Sequence, residues 1–199
     1  FYSQTYPHIF NGQTKWIVDN AQALNVKFVL GLGDIVNNGS SITQEQNADA
    51  AVRLLDNANI PYLLALGNHD YIGAKPASRD ATIFNQYFGP QRYAGKSWYR
   101  GNYPAGSNEN FYGVFNINGK QYLVMSLEFY PRNGTLEWAR QILTANQDKE
   151  VILIMHAFLW TGGTRVGPCD RGGPDGYGLS ADNDAQEMWN KLIRKFRNI

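Results

Sequence analysis

Residues 27–34 read Lys-Phe-Val-Leu-Gly-Leu-Gly-Asp, and residues 61–70 read Pro-Tyr-Leu-Leu-Ala-Leu-Gly-Asn-His-Asp, so two short apolar segments each end in glycine and polar residues. Short apolar segments of this kind are typical of buried parallel strands. Between them, residues 41–57 begin with two candidate caps, Ser41 and Thr43, and continue with apolar residues at helical spacing. The order of strand, helix and strand predicts an α/β fold.

The rest of the chain extends this pattern. Apolar periodicity predicts four further helices, at residues 12–24, 81–88, 134–147 and 182–197. Three further strands are predicted at residues 111–117, 121–127 and 150–155. The first two form a hairpin, because Asn118-Gly119 between them favours a tight turn. We identify no linker or internal repeat, so we predict one domain over residues 1–199.

Composition excludes several classes of protein. The chain has 199 residues with 43% hydrophobic residues, which is typical of a globular domain. Its formal net charge of +1 argues against a nucleic-acid partner, and no apolar run approaches the roughly 20 residues of a membrane helix. Cys169 is the only cysteine, so no disulfide can form within the chain. Charged residues make up 18%, and this low share favours a secreted or periplasmic bacterial protein.

Polar side chains follow three of the predicted buried strands. Asp34, Asn68 and His156 each stand at or just beyond a strand end. In open α/β sheets, ligands bind outside the carboxyl ends of the strands, so we expect these side chains to meet at one sheet edge. Taken singly, each residue fits a turn, a cap or a core histidine. Together, a carboxylate, an amide and an imidazole suit a divalent cation such as Mn, Fe or Zn.

The same segments resemble a known family. Gly33-Asp34, Gly67-Asn68-His69-Asp70 and the apolar strand ending in His156 resemble three signature blocks of the calcineurin-like metallophosphoesterases. The resemblance implies two mixed sheets packed face to face with helices outside. It also implies that Asp34 bridges two metal ions and that Asn68 and His156 bind the second. His69 would act on the scissile phosphate, and Asp70 would orient His69.

The implied activity is hydrolysis of a phosphate monoester or diester in a small phosphorylated substrate, by a water activated between two divalent metals. Two blocks of the family, at its first strand and at its last, have no counterpart here. The three histidines are His8, His69 and His156, and none can supply the last block. We therefore expect a chain incomplete at both ends, which holds one metal or none and is inactive by itself. Its oligomeric state cannot be predicted from the sequence.

Three other interpretations are weighed against this one. A nuclease of the same family would show a basic groove, for which the sequence has no Lys/Arg cluster. A non-catalytic scaffold would have no need of His69 and Asp70. An unrelated α/β protein that binds a small ligand would hold no metal.

Two secondary predictions concern single residues: Arg165 or Arg171 in the Gly-rich loop at 161–179 could reach substrate phosphate, and Glu128 is structural.

Overall fold

A computed structural model describes residues 2–199 of the chain. The helices are α1 (Tyr2–Thr5), α2 (Pro7–Asn20), α3 (Ile42–Asn57), α4 (Thr82–Phe88), α5 (Asn133–Thr144) and α6 (Ala185–Lys191). The strands are β1 (Val29–Gly31), β2 (Tyr62–Leu64), β3 (Tyr99–Tyr103), β4 (Asn110–Ile117), β5 (Lys120–Ser126) and β6 (Glu150–Ile154). No helix among these residues is both long enough and apolar enough to cross a membrane.

The strands form two sheets. β1 and β2 pair in parallel, with Val29 opposite Tyr62. The second sheet has the order β3-β4-β5-β6, in which β5 and β6 are parallel and the other pairs antiparallel. Within residues 2–199, the β1–β2 sheet has no further strand on either side, so both its edges are open. The predicted α/β class with two sheets is confirmed.

Alternating burial along β5 explains how the layers pack. Val124 points into a core shared with the β1–β2 sheet, where Leu63 and Phe111 are also fully buried. Leu123 and Met125 point the other way, into a second core beneath α5 and α6. Because successive strand residues face opposite sides, a strand covered on both faces must be apolar throughout. The four-stranded sheet is therefore the central layer of the fold.

Several boundaries differ from the sequence prediction. The first long helix begins at Pro7, not at residue 12, because proline is well suited to the first helical turn. The last helix begins after Asp184, whose side chain accepts a hydrogen bond from the Glu187 amide in a capping box. β3 was not predicted, because its sequence Tyr-Arg-Gly-Asn-Tyr lacks an apolar pattern. Its existence depends on pairing with β4, a tertiary contact.

The hairpin prediction is confirmed at the turn itself. Asn118 and Gly119 have φ angles of 52° and 85°, the left-handed conformations that an Asn-Gly turn of this type needs. The turn sets the register of β4 against β5, in which Ile117 faces Lys120 and Phe111 faces Ser126. Register matters here because a slip of one residue would exchange the two buried faces of β5.

Candidate metal site at the junction of the two sheets

The predicted site residues converge at the junction of the two sheets. Asp34 follows β1 and Asn68 follows β2, so these two come from the parallel pair. His156 follows β6, which belongs to the other sheet. The expectation of a single sheet edge is therefore wrong in detail, because the site lies where the carboxyl ends of β1, β2 and β6 approach one another.

Asp34 is the centre of this arrangement. Its Oδ1 accepts a hydrogen bond from the His69 backbone amide at 2.9 Å, and its Oδ2 lies 3.3 Å from Nε2 of His156. Its φ of 54° places it in the left-handed region, which Asp and Asn adopt more readily than other side chains. The turn after β1 therefore directs one carboxylate toward both neighbouring loops.

Two glycines allow the loops to come this close. A Cβ added at Gly67 would lie 2.2 Å from Asp34 Oδ1, and one at Gly33 would lie 2.8 Å from His156 Nδ1. Gly33 also has a φ of 92°, which favours glycine. Gly67 has an ordinary φ of −94°, so its role is to leave space and not to permit a special turn.

His156 is held with one ring nitrogen fixed. Its Nδ1 lies 2.7 Å from the carbonyl oxygen of Leu32, and a carbonyl can only accept, so Nδ1 carries a proton and donates. Nε2 therefore faces Asp34. Burial lowers the pKa of His156, but the hydrogen bond and charge of Asp34, with the Leu32 carbonyl, outweigh it and leave that pKa raised above its usual value.

This pair fits a divalent cation. In the neutral imidazole, Nε2 and the Asp34 carboxylate are both acceptors, so two lone pairs face each other across 3.3 Å. A proton or a metal ion between them removes that repulsion. A metal-binding histidine characteristically donates its other ring N–H to a carbonyl or carboxylate, which Nδ1 does here.

Asn68 is the third predicted ligand. It opens a single 3-10 turn, Asn68–Asp70, and is half-buried beside His69, whose amide contacts Asp34. Among residues 2–199, no group of three His, Cys, Asp or Glu side chains is placed to hold a metal ion. The Asn68 amide oxygen, on the loop after β2, stays the predicted third protein donor.

The predicted pairing of Asp70 with the His69 ring is wrong. Nδ1 of His69 lies 2.7 Å from the carbonyl oxygen of Asn37, so a backbone group takes the orienting role. The fully buried Asp70 carboxylate instead accepts backbone amides of Asp34 and Gly67, both at 2.8 Å, and a third N–H from the β1–α3 loop. Asp70 thus ties together the loops that carry Asp34 and Asn68.

A second buried acid lies near Asp70. Glu45 of α3 is fully buried, and neither of its carboxylate oxygens has a hydrogen-bond partner in the described part of the chain. Burial, helped by the charge of Asp70, raises the pKa of Glu45 to about 8. Burial also raises the pKa of Asp70 to about 7, opposed by the Gly67 amide and aided by the Asp34 charge. Glu45 is therefore protonated in the folded protein at neutral pH.

Replacing Glu45 with Gln should stabilise the protein at high pH. Because folding raises the pKa of Glu45, the wild type loses stability as pH rises from the unfolded value toward about 8. Glutamine keeps the volume and cannot ionise, so the advantage of Glu45→Gln should grow from near zero at pH 5 to on the order of 3 kcal/mol at pH 9. Urea unfolding at several pH values measures this difference in the free energy of unfolding between variant and wild type. Parallel stability curves for the two proteins would contradict the assignment, and the exposed Glu137→Gln serves as the control.

Two secondary predictions concern the Arg165 or Arg171 pair and Glu128. Arg165 lies with its guanidinium 4.2 Å from the centre of the Trp189 ring and donates to Gln186, so it is held against α6, and its reach to a substrate phosphate stays a prediction. Arg171 is exposed. Glu128 is structural as predicted: it is fully buried and receives two guanidinium hydrogen bonds from Arg132.

The sequence analysis missed two residues of the site. The Asn37 carbonyl holds the His69 ring, but a backbone carbonyl is present whatever the side chain, so no residue type indicated it. Phe129 packs its ring 5.9 Å from that of His156, centre to centre, and is almost fully buried. Its position after β5 gave it the appearance of an ordinary core aromatic.

Comparison with known proteins supplies an independent observation. The sequence model of the family described as calcineurin-like phosphoesterase matches residues 7–192. The chain is also similar to the uncharacterized protein YvnB of Bacillus subtilis (strain 168), with 38% identity over 165 residues. That alignment covers 83% of this chain and 12% of YvnB, so the chain spans about an eighth of the length of this relative.

Proposed function

Because the chain belongs to the calcineurin-like phosphoesterase family, we propose that it forms part of a metal-dependent hydrolase that cleaves a phosphate ester in a small phosphorylated substrate. One observation carries the proposal: Asp34 and His156 face each other at 3.3 Å with the other nitrogen of His156 fixed on a carbonyl. This arrangement is suited to a cation. The adjacent His69 places a second imidazole at the same junction.

Asp34, Asn68 and His156 would hold the cation. Divalent metals, when bound, lower the pKa of water toward about 7 and offset charge on the phosphate oxygens. The Leu32 carbonyl fixes the tautomer of His156, so that its Nε2 faces Asp34. The amide of His69 orients Asp34 by binding Oδ1, which leaves Oδ2 toward His156.

His69 would contact the substrate. Its Nδ1 donates to the Asn37 carbonyl, so Nε2 is the ring atom through which it would act. Protonated, Nε2 would give a proton to the leaving oxygen of the ester; neutral, it would accept one. A group that moves a proton in the transition state contributes typically 10²–10⁴-fold to a rate.

The test compares residues 1–199 alone with the longer protein of which, on this proposal, they form part, called the full-length protein below. Metal content is measured by elemental analysis, and turnover is followed with an aryl phosphate and an aryl phosphodiester in added Mn. We expect the full-length protein to bind about two metals, as dinuclear phosphoesterase centres do, and to hydrolyse one of the esters. A full-length protein that binds no divalent metal would overturn the proposal.

Replacing His69 with Ala should separate proton transfer from metal binding. We expect the full-length variant to lose about 10²–10⁴-fold in kcat with unchanged metal content, because His69 acts on the ester and not on the cation. His8 is exposed and makes a matched control, so His8→Ala should keep both properties. If His69→Ala lost its metal, His69 would be a ligand and the assigned role would be wrong.

A further inference from the structure

One peptide group holds the His69 ring. The carbonyl oxygen of Asn37 accepts from Nδ1 of His69 at 2.7 Å. The N–H of the same peptide unit belongs to Asn38, and it donates to Oε1 of Gln44 at 3.0 Å. A trans peptide is planar, with its N–H and C=O pointing in opposite directions. Fixing the N–H end therefore fixes the direction of the carbonyl that holds His69.

Gln44 is itself well anchored for this task. Its Oε1 accepts a second backbone N–H, that of Asn37, at 2.8 Å, so one side-chain oxygen receives two consecutive amides. Gln44 lies in the first turn of α3, where its own amide donates to the Ser41 cap at 3.4 Å. The loop is closed from the other side by Gly39, whose amide donates to the His69 carbonyl at 2.9 Å.

We propose that Gln44 is a positioning residue for His69. It acts through the Asn37–Asn38 peptide, which sets the angle of the imidazole and keeps the proton on Nδ1. Gln44 does not touch the substrate or the metal in this scheme. The inference rests on the proposed function for its effect on catalysis, while its effect on the state of the ring can be observed without any turnover.

The experiment compares three variants of the full-length protein. Gln44→Met removes the acceptor at nearly constant size, Gln44→Glu keeps an acceptor at the same position, and the exposed Gln46→Met makes the same chemical change two residues away. The first readout is the tautomer of His69 by ¹⁵N NMR without added metal, with the signals of His69 assigned by their absence in His69→Ala. The second readout is kcat and KM separately, with Mn present.

We expect Gln44→Met to mix the tautomers of His69 and to lower kcat by roughly 10–100-fold with little change in KM or metal content, since small displacements of a catalytic group cost about this much. Gln44→Glu should keep the Nδ1–H tautomer and most of kcat, and Gln46→Met should match the wild type. A merely structural role would lower thermal stability without changing the tautomer or kcat of the folded protein.

Two results would overturn the inference: a wild-type tautomer and kcat in Gln44→Met, or equal losses in Gln44→Met and Gln44→Glu. If Gln44→Met does not fold, Gln44→Asn decides in its place, because its acceptor is one methylene too short to reach both amides. If the wild type shows no hydrolysis, the proposed function fails, and the tautomer comparison still decides whether Gln44 positions His69.

Discussion

Replacing Asp34 with Asn in the full-length protein is expected to remove most bound divalent metal and to lower ester hydrolysis by more than about 100-fold. Replacing a residue that only hydrogen-bonds a metal ligand typically lowers metal affinity or activity by about 10–100-fold. Replacing a residue that contacts the cation itself should lower them further. Within residues 2–199, Asp34 is the carboxylate that pairs with His156. Losing its charge leaves only neutral donors, which are one imidazole and the amide oxygens of residues 34 and 68.

Asparagine is the informative replacement because it preserves the local structure. Asn tolerates the left-handed conformation that Asp34 adopts at φ 54°. Its side-chain oxygen can still accept the His69 amide, and the backbone N–H of residue 34 can still donate to Asp70. Any loss should therefore be a loss of charge, with thermal stability close to that of the wild type.

The measurement is metal content and kcat/KM on the same preparation. Asp19→Asn makes the same charge change at an exposed surface pair with Lys15 and should leave both quantities unchanged. Full metal content in Asp34→Asn would show that the cation binds elsewhere. Full activity without metal would show that the chemistry does not depend on this site.

The sequence predicted the elements whose signals are local. The apolar segments ending at Asp34 and Asn68 became β1 and β2, and Asn118-Gly119 formed the turn of the hairpin. These features depend on residues that are neighbours in sequence. The same reasoning overestimated strand length, because β1 covers three residues of an apolar segment twice as long.

What the sequence could not predict depends on distant partners. The family resemblance assigned Asp70 to the orientation of His69, yet the Asp70 carboxylate accepts backbone amides from two loops. The His69 ring contacts the carbonyl of Asn37, which is 32 positions away in the sequence. The N–H of the same peptide group donates to Gln44. Main-chain groups are the same at every residue, so a pattern of side chains carries no information about which of them reach the site.

Replacing Arg79 with Met is expected to have the largest effect on stability. Arg79 is mostly buried and donates to the carbonyls of Phe129 at 2.6 Å and Tyr130 at 2.7 Å. It also pairs with Asp182 at 2.7 Å and lies 3.7 Å from the fully buried Glu128. Removing Arg79 leaves these two carbonyls and the Asp182 carboxylate without their donor, and breaking a buried ion pair by removing one partner typically costs about 3–5 kcal/mol.

Methionine is the informative replacement because it removes the charge of Arg79 without changing the backbone strain. Arg79 has a φ of 53°, and Met carries the same backbone strain there, so the strain should largely cancel between the two proteins. Arg53→Met removes an exposed ion pair with Asp49 on α3, and we expect it to cost no more than about 1 kcal/mol. Urea unfolding of the wild type and both variants gives the loss in the free energy of unfolding for each. Equal, small costs would mean that the remaining partners of Glu128 already neutralise it.

The site should also respond to the loss of Arg79. The guanidinium holds the carbonyl of Phe129, and the ring of Phe129 packs against His156 at 5.9 Å between centres. Without Arg79, the carbonyl of Phe129 loses its hydrogen-bond donor. The ring of Phe129 is then held less firmly against the imidazole of His156. We therefore expect Arg79→Met to weaken metal binding at temperatures where the variant is still fully folded, as measured by titration with Mn. Unchanged metal affinity would show that His156 does not depend on its packing against Phe129.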